Sequence, residues 1–259
     1  MILIDKLAYS SKIRFESPYL KCFFAIANLV ICMTTASFTV SIIMILIMGG
    51  CAVYFSRASF SYYIKLMLIP AVFLLFSTIT IVLNLSKIPF DLFAFPIGNY
   101  YITGSVQSFW MGINLMVKAF GCVSCLYFLI LTTPMIDLLE VLRRLRVPSI
   151  IIELMMLMYR FIFVLLDMGN AILTAQNCRL GHKDIKSSIT SMGHMLAVLL
   201  VRAYQKSDCI YNSMEARGYD GHLKVVICMK KANPTHTLSV VFIEICMVGL
   251  AILCTYYHI

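Results

Sequence analysis

Charged residues are scarce in this chain. They make up 13% of its 259 residues, whereas hydrophobic residues make up 61%, and a soluble domain carries roughly a quarter charged residues. The scarcity excludes intrinsic disorder, argues against a soluble globular enzyme and predicts a polytopic membrane protein with a polar part attached. The net charge is +9. On so apolar a chain, this excess indicates basic loops held at a cytoplasmic face rather than nucleic-acid binding.

Sequence motifs for catalysis, nucleotide binding and metal binding are also missing. The chain contains no phosphate loop of the form GxxxxGK[ST] and no Ser/His/Asp or paired-carboxylate signature, so we expect neither a nucleotide site nor enzyme activity. Its five histidines form no His-x-x-x-His pair. Cys122 and Cys125 have the CxxC spacing of a redox or metal site, but their apolar neighbours favour ordinary packing inside a spanning helix. We therefore predict no cofactor and no metal ion in this chain.

Long apolar stretches take up most of the first 133 residues. The stretch from Leu20 to Phe55 carries no charge after Lys21. As one helix it would be ~54 Å long, well beyond the ~30 Å hydrocarbon core, so we predict a hairpin of two short spans that breaks near residues 34–37. The predicted spans of this membrane bundle, residues 1–133, lie near residues 20–36, 38–55, 66–85 and 106–132, and a fifth span lies in residues 236–259.

The distribution of Lys and Arg predicts how these spans are oriented. With the N-terminus in the cytoplasm, the basic residues before residue 22 fall inside, as do Arg57 and Lys65. Residues 87–103 then lie outside with one Lys, and residues 134–235 lie inside with thirteen Lys and Arg. This bias follows the positive-inside rule. We predict a multi-pass protein of the bacterial inner (plasma) membrane, with a cytoplasmic N-terminus and an outside C-terminus.

Residues 134–235 remain apolar but are regularly interrupted by charge. Thr133 and Pro134 predict a helix start, with a capping hydroxyl and a proline at the first position. A second helix is predicted from residue 149 to about residue 175, and its three charges would be costly at the centre of a bilayer. These charges are Glu153, Arg160 and Asp167.

A third helix is predicted over residues 188–214, with apolar residues on one side. We interpret residues 134–235 as amphipathic helices on the cytoplasmic face rather than as further spans. The predicted fold is therefore an all-α polytopic membrane protein with about five transmembrane helices and a cytoplasmic domain of long amphipathic helices. The apolar side of the third helix consists of Leu196, Leu199, Ala203, Ile210 and Met214.

The second and third of these helices both end in an Arg with small neighbours that precedes a Gly. Arg179 is the first of these residues and Arg217, 38 residues later, is the second. Gly stops a helix, and Arg in a last turn interacts favourably with the helix dipole, so a purely structural role is open at each position. The alternative is a docking point, where small neighbours admit a partner's backbone and Arg offers a fixed fork to a carboxylate. Two such points suit two copies of one partner.

Several segments of the chain match blocks of a known family. Ala216-Arg217-Gly218 corresponds to the second Ala-Arg-Gly-type motif of that family. The first motif has Cys178 and Leu180 around Arg179, where many members have Ala, Ser or Gly. With these segments, the chain resembles over nearly its whole length the transmembrane coupling (T) subunit of energy-coupling factor (ECF) transporters, and within it the CbiQ-like subgroup of cobalt and nickel uptake systems. The matching segments are residues 4–9, 17–18, 131–135, 143–148, 158–161, 175–176, 179–181 and 214–221.

The resemblance implies a mechanism and a set of partners. The two helix ends would sit in surface grooves of two CbiO-like ABC ATPase subunits, and residues 134–235 would be coupling helices. They would carry the ATP-driven motion of the ATPases to a CbiM-like substrate-binding membrane subunit, with or without a small CbiN-like subunit. The chain would bind no cofactor itself, because the partner ATPases bind the ATP, and it would bind no nucleic acid. The implied ATPase-coupling residues are Cys178, Arg179, Leu180, Gly181, Ala216, Arg217 and Gly218.

Other functions remain open from the residues alone. A T subunit that serves a vitamin rather than a metal would look the same, because no residue here coordinates the solute. A stand-alone cation channel or carrier would need polar groups inside the spans, and Lys118 and Glu244 could pair across helices. A membrane enzyme would need a nucleophile and a base, and no such set is evident.

Overall fold

The computed structural model describes residues 3–35, 37–86, 93–97, 100–221 and 234–256. The predictions for residues 87–92, 98–99, 222–233 and 257–259 therefore lie outside the described residues. The helices are α1 (Leu3–Ser10), α2 (Pro18–Thr34), α3 (Phe38–Ser56), α4 (Phe60–Val82), α5 (Val106–Thr132), α6 (Met135–Arg144), α7 (Ser149–Cys178), α8 (Ile185–Glu215) and α9 (Pro234–Tyr256), and the strands are β1 (Asn84–Ser86), β2 (Phe93–Ile97) and β3 (Tyr100–Gly104).

Helices dominate the described chain, and the predicted all-α polytopic class is confirmed. The strands form one small antiparallel sheet in the order β1-β3-β2, in a segment for which the sequence predicts only a polar and aromatic loop. Its strands are rich in aromatic and β-branched residues, which favour extended backbone.

The predicted hairpin break between the first two spans is present. α2 ends at Thr34, and the hydroxyl of Thr35 donates to the carbonyl of Ile31 at 2.8 Å. The backbone is extended at Thr35 and Ser37, and α3 begins at Phe38. Hydroxyl side chains compete with the helical hydrogen bonds of the backbone, which explains why the apolar stretch breaks at this point.

The chain divides into two compact units, and the larger one groups residues 2–138 with residues 228–259. In this unit α5 packs against α1, α2, α3 and α4. Close approach of α2 and α5 requires Gly121, because a Cβ there would lie 2.8 Å from the sulfur of Cys32 on α2. The buried core around α5 includes Met44, Met48, Cys125, Phe128, Leu131 and Met247.

A buried lysine closes the C-terminal end of α5. The ammonium of Lys21 donates to the carbonyls of Thr132 and Arg14, each at 3.4 Å, and the hydroxyl of Ser11 also donates to the Thr132 carbonyl. The last carbonyls of a helix have no partner within the helix, and a cation there is favourable. The start of α2 and the end of α5 are thereby held together.

The outward surface of the larger unit is strongly apolar. On α4, Leu68, Ile69, Phe73 and Phe76 are each at least 60% exposed, which is typical of a helix that faces lipid. By length and composition, α3, α4, α5 and α7 could each cross a membrane, while α2 and Val240–Cys254 of α9 are shorter apolar helices. The sequence predicts α2 and α9 as spans and α7 as a cytoplasmic helix. Length and composition alone do not distinguish a span from a cytoplasmic helix.

Two expected contacts differ in the structure. Thr133 does not cap α6, because it ends α5 instead: its N–H donates to the carbonyl of Leu129 at 3.0 Å, and its buried hydroxyl has no partner among the described residues. Glu244 does not pair with Lys118 but accepts a hydrogen bond from the side chain of Asn28 at 2.6 Å. The partner of Glu244 is thus the side-chain amide of Asn28 on α2 and not Lys118 on α5.

Candidate docking site at two helix ends

α7 and α8 form an antiparallel helical hairpin within the smaller unit, residues 139–227. Near the turn, the side chain of Gln176 donates to the carbonyl of Ser191 at 2.8 Å. Midway along, a Cβ on Gly169 would lie 3.7 Å from Leu199. Since α8 has 31 residues, it is about 46 Å long at 1.5 Å per residue. Arg179 follows α7 at the turn of the hairpin, and Arg217 follows α8 at the other end.

The face that α8 turns towards α7 differs in one position from the predicted apolar side. Leu199, Ala203, Ile210 and Met214 are partly buried, whereas Leu196 is 59% exposed. The less exposed residues are spaced by four or seven from residue 191 to residue 214, and this places Met195 rather than Leu196 on the packed face.

The first helix end, residues 176–181, closes with the hydrogen bonds of a Schellman motif. The N–H of Gly181 donates to the carbonyl of Gln176 at 2.8 Å, and the N–H of Leu180 donates to that of Asn177 at 3.1 Å. Leu180 adopts the left-handed conformation, with φ +57°. Arg179 is therefore the last residue before the left-handed turn.

The second helix end, residues 214–219, repeats the same hydrogen bonds. The N–H of Tyr219 donates to the carbonyl of Met214 at 3.1 Å, and the N–H of Gly218 donates to that of Glu215 at 2.9 Å. Gly218 is the left-handed residue, with φ +74°. Arg217 therefore holds the same place in this motif that Arg179 holds in the first.

The hydrogen bonds of the two turns give the register between the two helix ends. With the arginines aligned, Gly218 corresponds structurally to Leu180, and Tyr219 corresponds to Gly181. Cys178 and Ala216 occupy equivalent positions just before the arginines. This is the register in which the sequence motifs place Cys178 and Leu180 around Arg179.

Both arginines are exposed, and so are Cys178, Ala216 and Gly218. Among the described residues, neither guanidinium has a hydrogen bond or an ion pair with a carboxylate. A Cβ on Gly218 would meet nothing within 4 Å, so the surface beside Arg217 is open. The site thus presents two guanidinium groups in matched backbone settings, each with unused donors for an acidic or carbonyl partner.

A group of hydrogen bonds fixes the first helix end to the start of α8. The hydroxyls of Ser187 and Ser191 donate to the carbonyl of Gly181 at 3.0 and 2.8 Å. A Cβ on Gly181 would lie only 2.9 Å from the Ser191 oxygen and 3.0 Å from the Gln176 carbonyl, so this position requires glycine. The sequence assigns no such contacts to Gln176, Ser187 and Ser191, because polar residues near helix ends are common and carry no distinctive signal.

A long-range hydrogen bond joins the second helix end to the start of α7. The hydroxyl of Tyr219 donates to a carboxylate oxygen of Glu153 at 3.0 Å, and the Glu153 residue is only 6% exposed. This contact with the carboxylate raises the pKa of the Tyr219 phenol above its ordinary value, because ionisation of the phenol would remove the donor. The sequence marked Glu153 as a costly charge but gave it no partner.

Within the described ranges there is no group of three or more His, Cys, Asp or Glu side chains placed to hold a metal ion. The matched features of the smaller unit are backbone turns and cations, which suit recognition of another protein.

A family model described as the CbiQ cobalt transport protein matches residues 10–226. The chain belongs to this family. As a CbiQ-family chain it is a membrane-spanning component of the ECF transporter type, which confirms the family inferred from the sequence.

Three relatives of this CbiQ-family chain show how far the similarity extends. An uncharacterised protein of Methanocaldococcus jannaschii is 29% identical over 97% of this chain and 93% of its own length. A protein of Methanocorpusculum labreanum, named as a fused cobalt transport protein CbiMQ, is 30% identical over 85% of this chain and 37% of its own length. The cobalt transport protein CbiQ of Salmonella typhimurium is 26% identical over 84% of this chain and 97% of its own length.

Proposed function

We propose that this chain is the coupling subunit of an ECF-type importer, and that it transmits the ATP-driven motion of two ABC ATPase subunits to a substrate-binding membrane subunit. The observation that carries the proposal is the pair of exposed arginines in equivalent turns at opposite ends of one helical hairpin. Two equivalent cations about 46 Å apart along a helix suit two equivalent partners, each of which offers a carboxylate to one guanidinium.

The family supports our proposal for the partners and the solute. CbiO-like ATPases would supply both the ATP site and the acidic grooves. A CbiM-like protein would bind the solute, and the fused name of the Methanocorpusculum labreanum relative, CbiMQ, supports that partner. Cobalt is the solute we propose, because the family model and two of the relatives described above carry that name, and nickel or a vitamin is the alternative.

Replacing the arginines tests the docking role. We expect Arg217→Ala to cost about 2–5 kcal/mol of ATPase association, since it leaves the partner's carboxylate without its ion pair. The double variant Arg179→Ala with Arg217→Ala should abolish both ATPase co-purification and uptake of radioactive cobalt, while the amount of chain in the membrane stays unchanged.

Arg202→Ala is the matched control, because Arg202 is exposed on α8 away from both helix ends and should leave association and uptake unchanged. Wild-type uptake by the double variant would refute the proposal. Cobalt uptake by this chain alone, without ATPases, would instead support a stand-alone carrier.

A further inference from the structure

We propose that Tyr219 and Glu153 are positioning residues for Arg217, and that their hydrogen bond sets the direction in which the second helix end presents its guanidinium. The inference rests on the proposed function, because it assumes that Arg217 docks onto an ATPase. Neither side chain is required to touch the partner; each would act through the backbone of the turn.

The first step concerns the freedom of the turn itself. Arg217 is followed by Gly218 in the left-handed conformation, and glycine populates many backbone conformations. A Cβ on Gly218 would meet nothing within 4 Å, so packing does not restrain the backbone there. The ends of a helix also open more readily than its interior. An isolated turn of this kind would hold Arg217 in several directions.

The second step concerns what restrains the turn. Tyr219 is two residues after Arg217, and its own N–H closes the turn on the carbonyl of Met214. Its side chain then reaches the first two turns of α7, where its hydroxyl meets the carboxylate of Glu153 at 3.0 Å. Because Glu153 is buried in a helix, it is a firm anchor. The residue beside Gly218 is thus fixed at its backbone and at its side-chain tip.

The third step is a comparison with the first helix end. There the turn is fixed by the two serine hydroxyls on the Gly181 carbonyl and by the Gln176 side chain on Ser191. These hydrogen bonds join the end of α7 to the start of α8, whereas the Tyr219–Glu153 hydrogen bond joins the end of α8 to the start of α7. Each arginine is therefore held by the neighbouring helix. Such bracing would keep the spacing of the two docking points fixed while the ATPases move.

The test is Tyr219→Phe, which removes the donor and keeps the ring. It is made in an Arg179→Ala chain, so that binding of purified CbiO-like ATPase to the full-length protein in detergent depends on the second helix end. We expect the half-saturating ATPase concentration to rise about tenfold, the size expected for a lost hydrogen bond to a charged group. Glu153→Gln keeps an acceptor oxygen and should therefore weaken ATPase binding less than Glu153→Leu does. Tyr204→Phe, at an exposed tyrosine of α8 away from the second helix end, should have no effect.

A second background separates positioning from general destabilisation. In an Arg217→Ala chain, Tyr219→Phe should not weaken ATPase binding further, because the residue that it positions is gone. The inference is overturned if Tyr219→Phe weakens ATPase binding equally in both backgrounds. It is also overturned if Tyr219→Phe changes the half-saturating ATPase concentration of the Arg179→Ala chain by less than about twofold. If Arg217→Ala itself leaves association unchanged, the proposed docking function fails, and that result is distinct from a failure of Tyr219→Phe alone.

Discussion

Leu180 holds a backbone conformation that costs a branched L-residue about 1–2 kcal/mol. Its side chain is 71% exposed, so the burial of apolar surface offsets little of this conformational strain. Strain of this kind tends to persist at functional positions, and Leu180 lies directly after Arg179. The equivalent position at the second helix end carries Gly218, where the conformation is free of that penalty.

Leu180→Gly should therefore stabilise the smaller unit. Relief of strain gains about 1–2 kcal/mol, and the greater freedom of glycine in the unfolded chain takes back about 0.4–1 kcal/mol, so we expect a net gain of about 0.5–1 kcal/mol. Thermal unfolding in detergent, followed by circular dichroism, measures it. Gly218→Ala is the matched control and should destabilise, because it places a Cβ at φ +74°. A lower stability for Leu180→Gly would contradict the assignment of strain.

The residue scale also shows where sequence reasoning reaches its limit. The sequence predicts that Arg179 and Arg217 follow long helices, because helix stop signals are local. It does not predict that Leu180 adopts the left-handed conformation of Gly218, because L-residues with a Cβ rarely take that conformation. The partners Glu153 and Tyr219 are 66 residues apart, and a pairing over that distance leaves no pattern in a single sequence.

Among the elements, α2 and α9 are joined by a buried polar contact. The amide nitrogen of Asn28 donates to Glu244 at 2.6 Å and to the carbonyl of Phe24 at 2.8 Å. Asn28 is fully buried and Glu244 is 8% exposed. Polar groups inside a bilayer must find partners within the protein, so this contact specifies which faces of the two helices meet.

Removing one partner of this contact should cost more than removing both. We expect Glu244→Leu to destabilise the larger unit by about 1–2 kcal/mol, because it leaves an amide N–H of Asn28 unpaired. Asn28→Leu with Glu244→Leu should cost less than the sum of the two single variants. Unfolding of all four proteins in detergent supplies the double-mutant cycle. Strictly additive losses would show that the contact does not join α2 to α9.

The elements themselves were predicted with uneven success, for physical reasons. The hairpin between α2 and α3 follows from length alone, because one helix of that stretch would exceed the bilayer. α4 begins at Phe60 rather than at residue 66, since a helix can continue through polar residues that a search for apolar residues excludes. The sheet of β1, β2 and β3 was missed because its strands pair across a loop, and pairing is not a local property.

At the scale of the whole molecule, the side of the membrane on which α7 ends decides whether Arg179 can meet a cytoplasmic partner. Its 30 residues are apolar enough to span. Three charges inside it would each cost about 2.5–3.5 kcal/mol at the bilayer centre, which is comparable with the gain from its apolar residues. The flanking charges favour a cytoplasmic α7, because basic residues lie on both sides of it. Those before it are Arg143, Arg144 and Arg146, and those after it are Arg179, Lys183 and Lys186.

If α7 crossed the membrane, one of these basic groups would have to lie outside, against the positive-inside rule. Only if α7 lies on the cytoplasmic face are both groups of basic residues on the side of the membrane where ATP is found. Both arginine-bearing helix ends are then on that side as well. We therefore predict that Cys178 and Cys209, both exposed thiols, react with a membrane-impermeant maleimide in inside-out vesicles and not in intact cells. The other cysteines are replaced beforehand.

His258→Cys is the control, because this position follows α9 in the sequence and should react in intact cells if the C-terminus lies outside. Labelling of Cys178 from outside would place Arg179 beyond the reach of any cytoplasmic ATPase. It would show that α7 is a span and would refute both the docking role of the first helix end and the cytoplasmic location of the hairpin turn. Labelling of both thiols only from inside would leave both arginines accessible to cytoplasmic partners, as coupling requires.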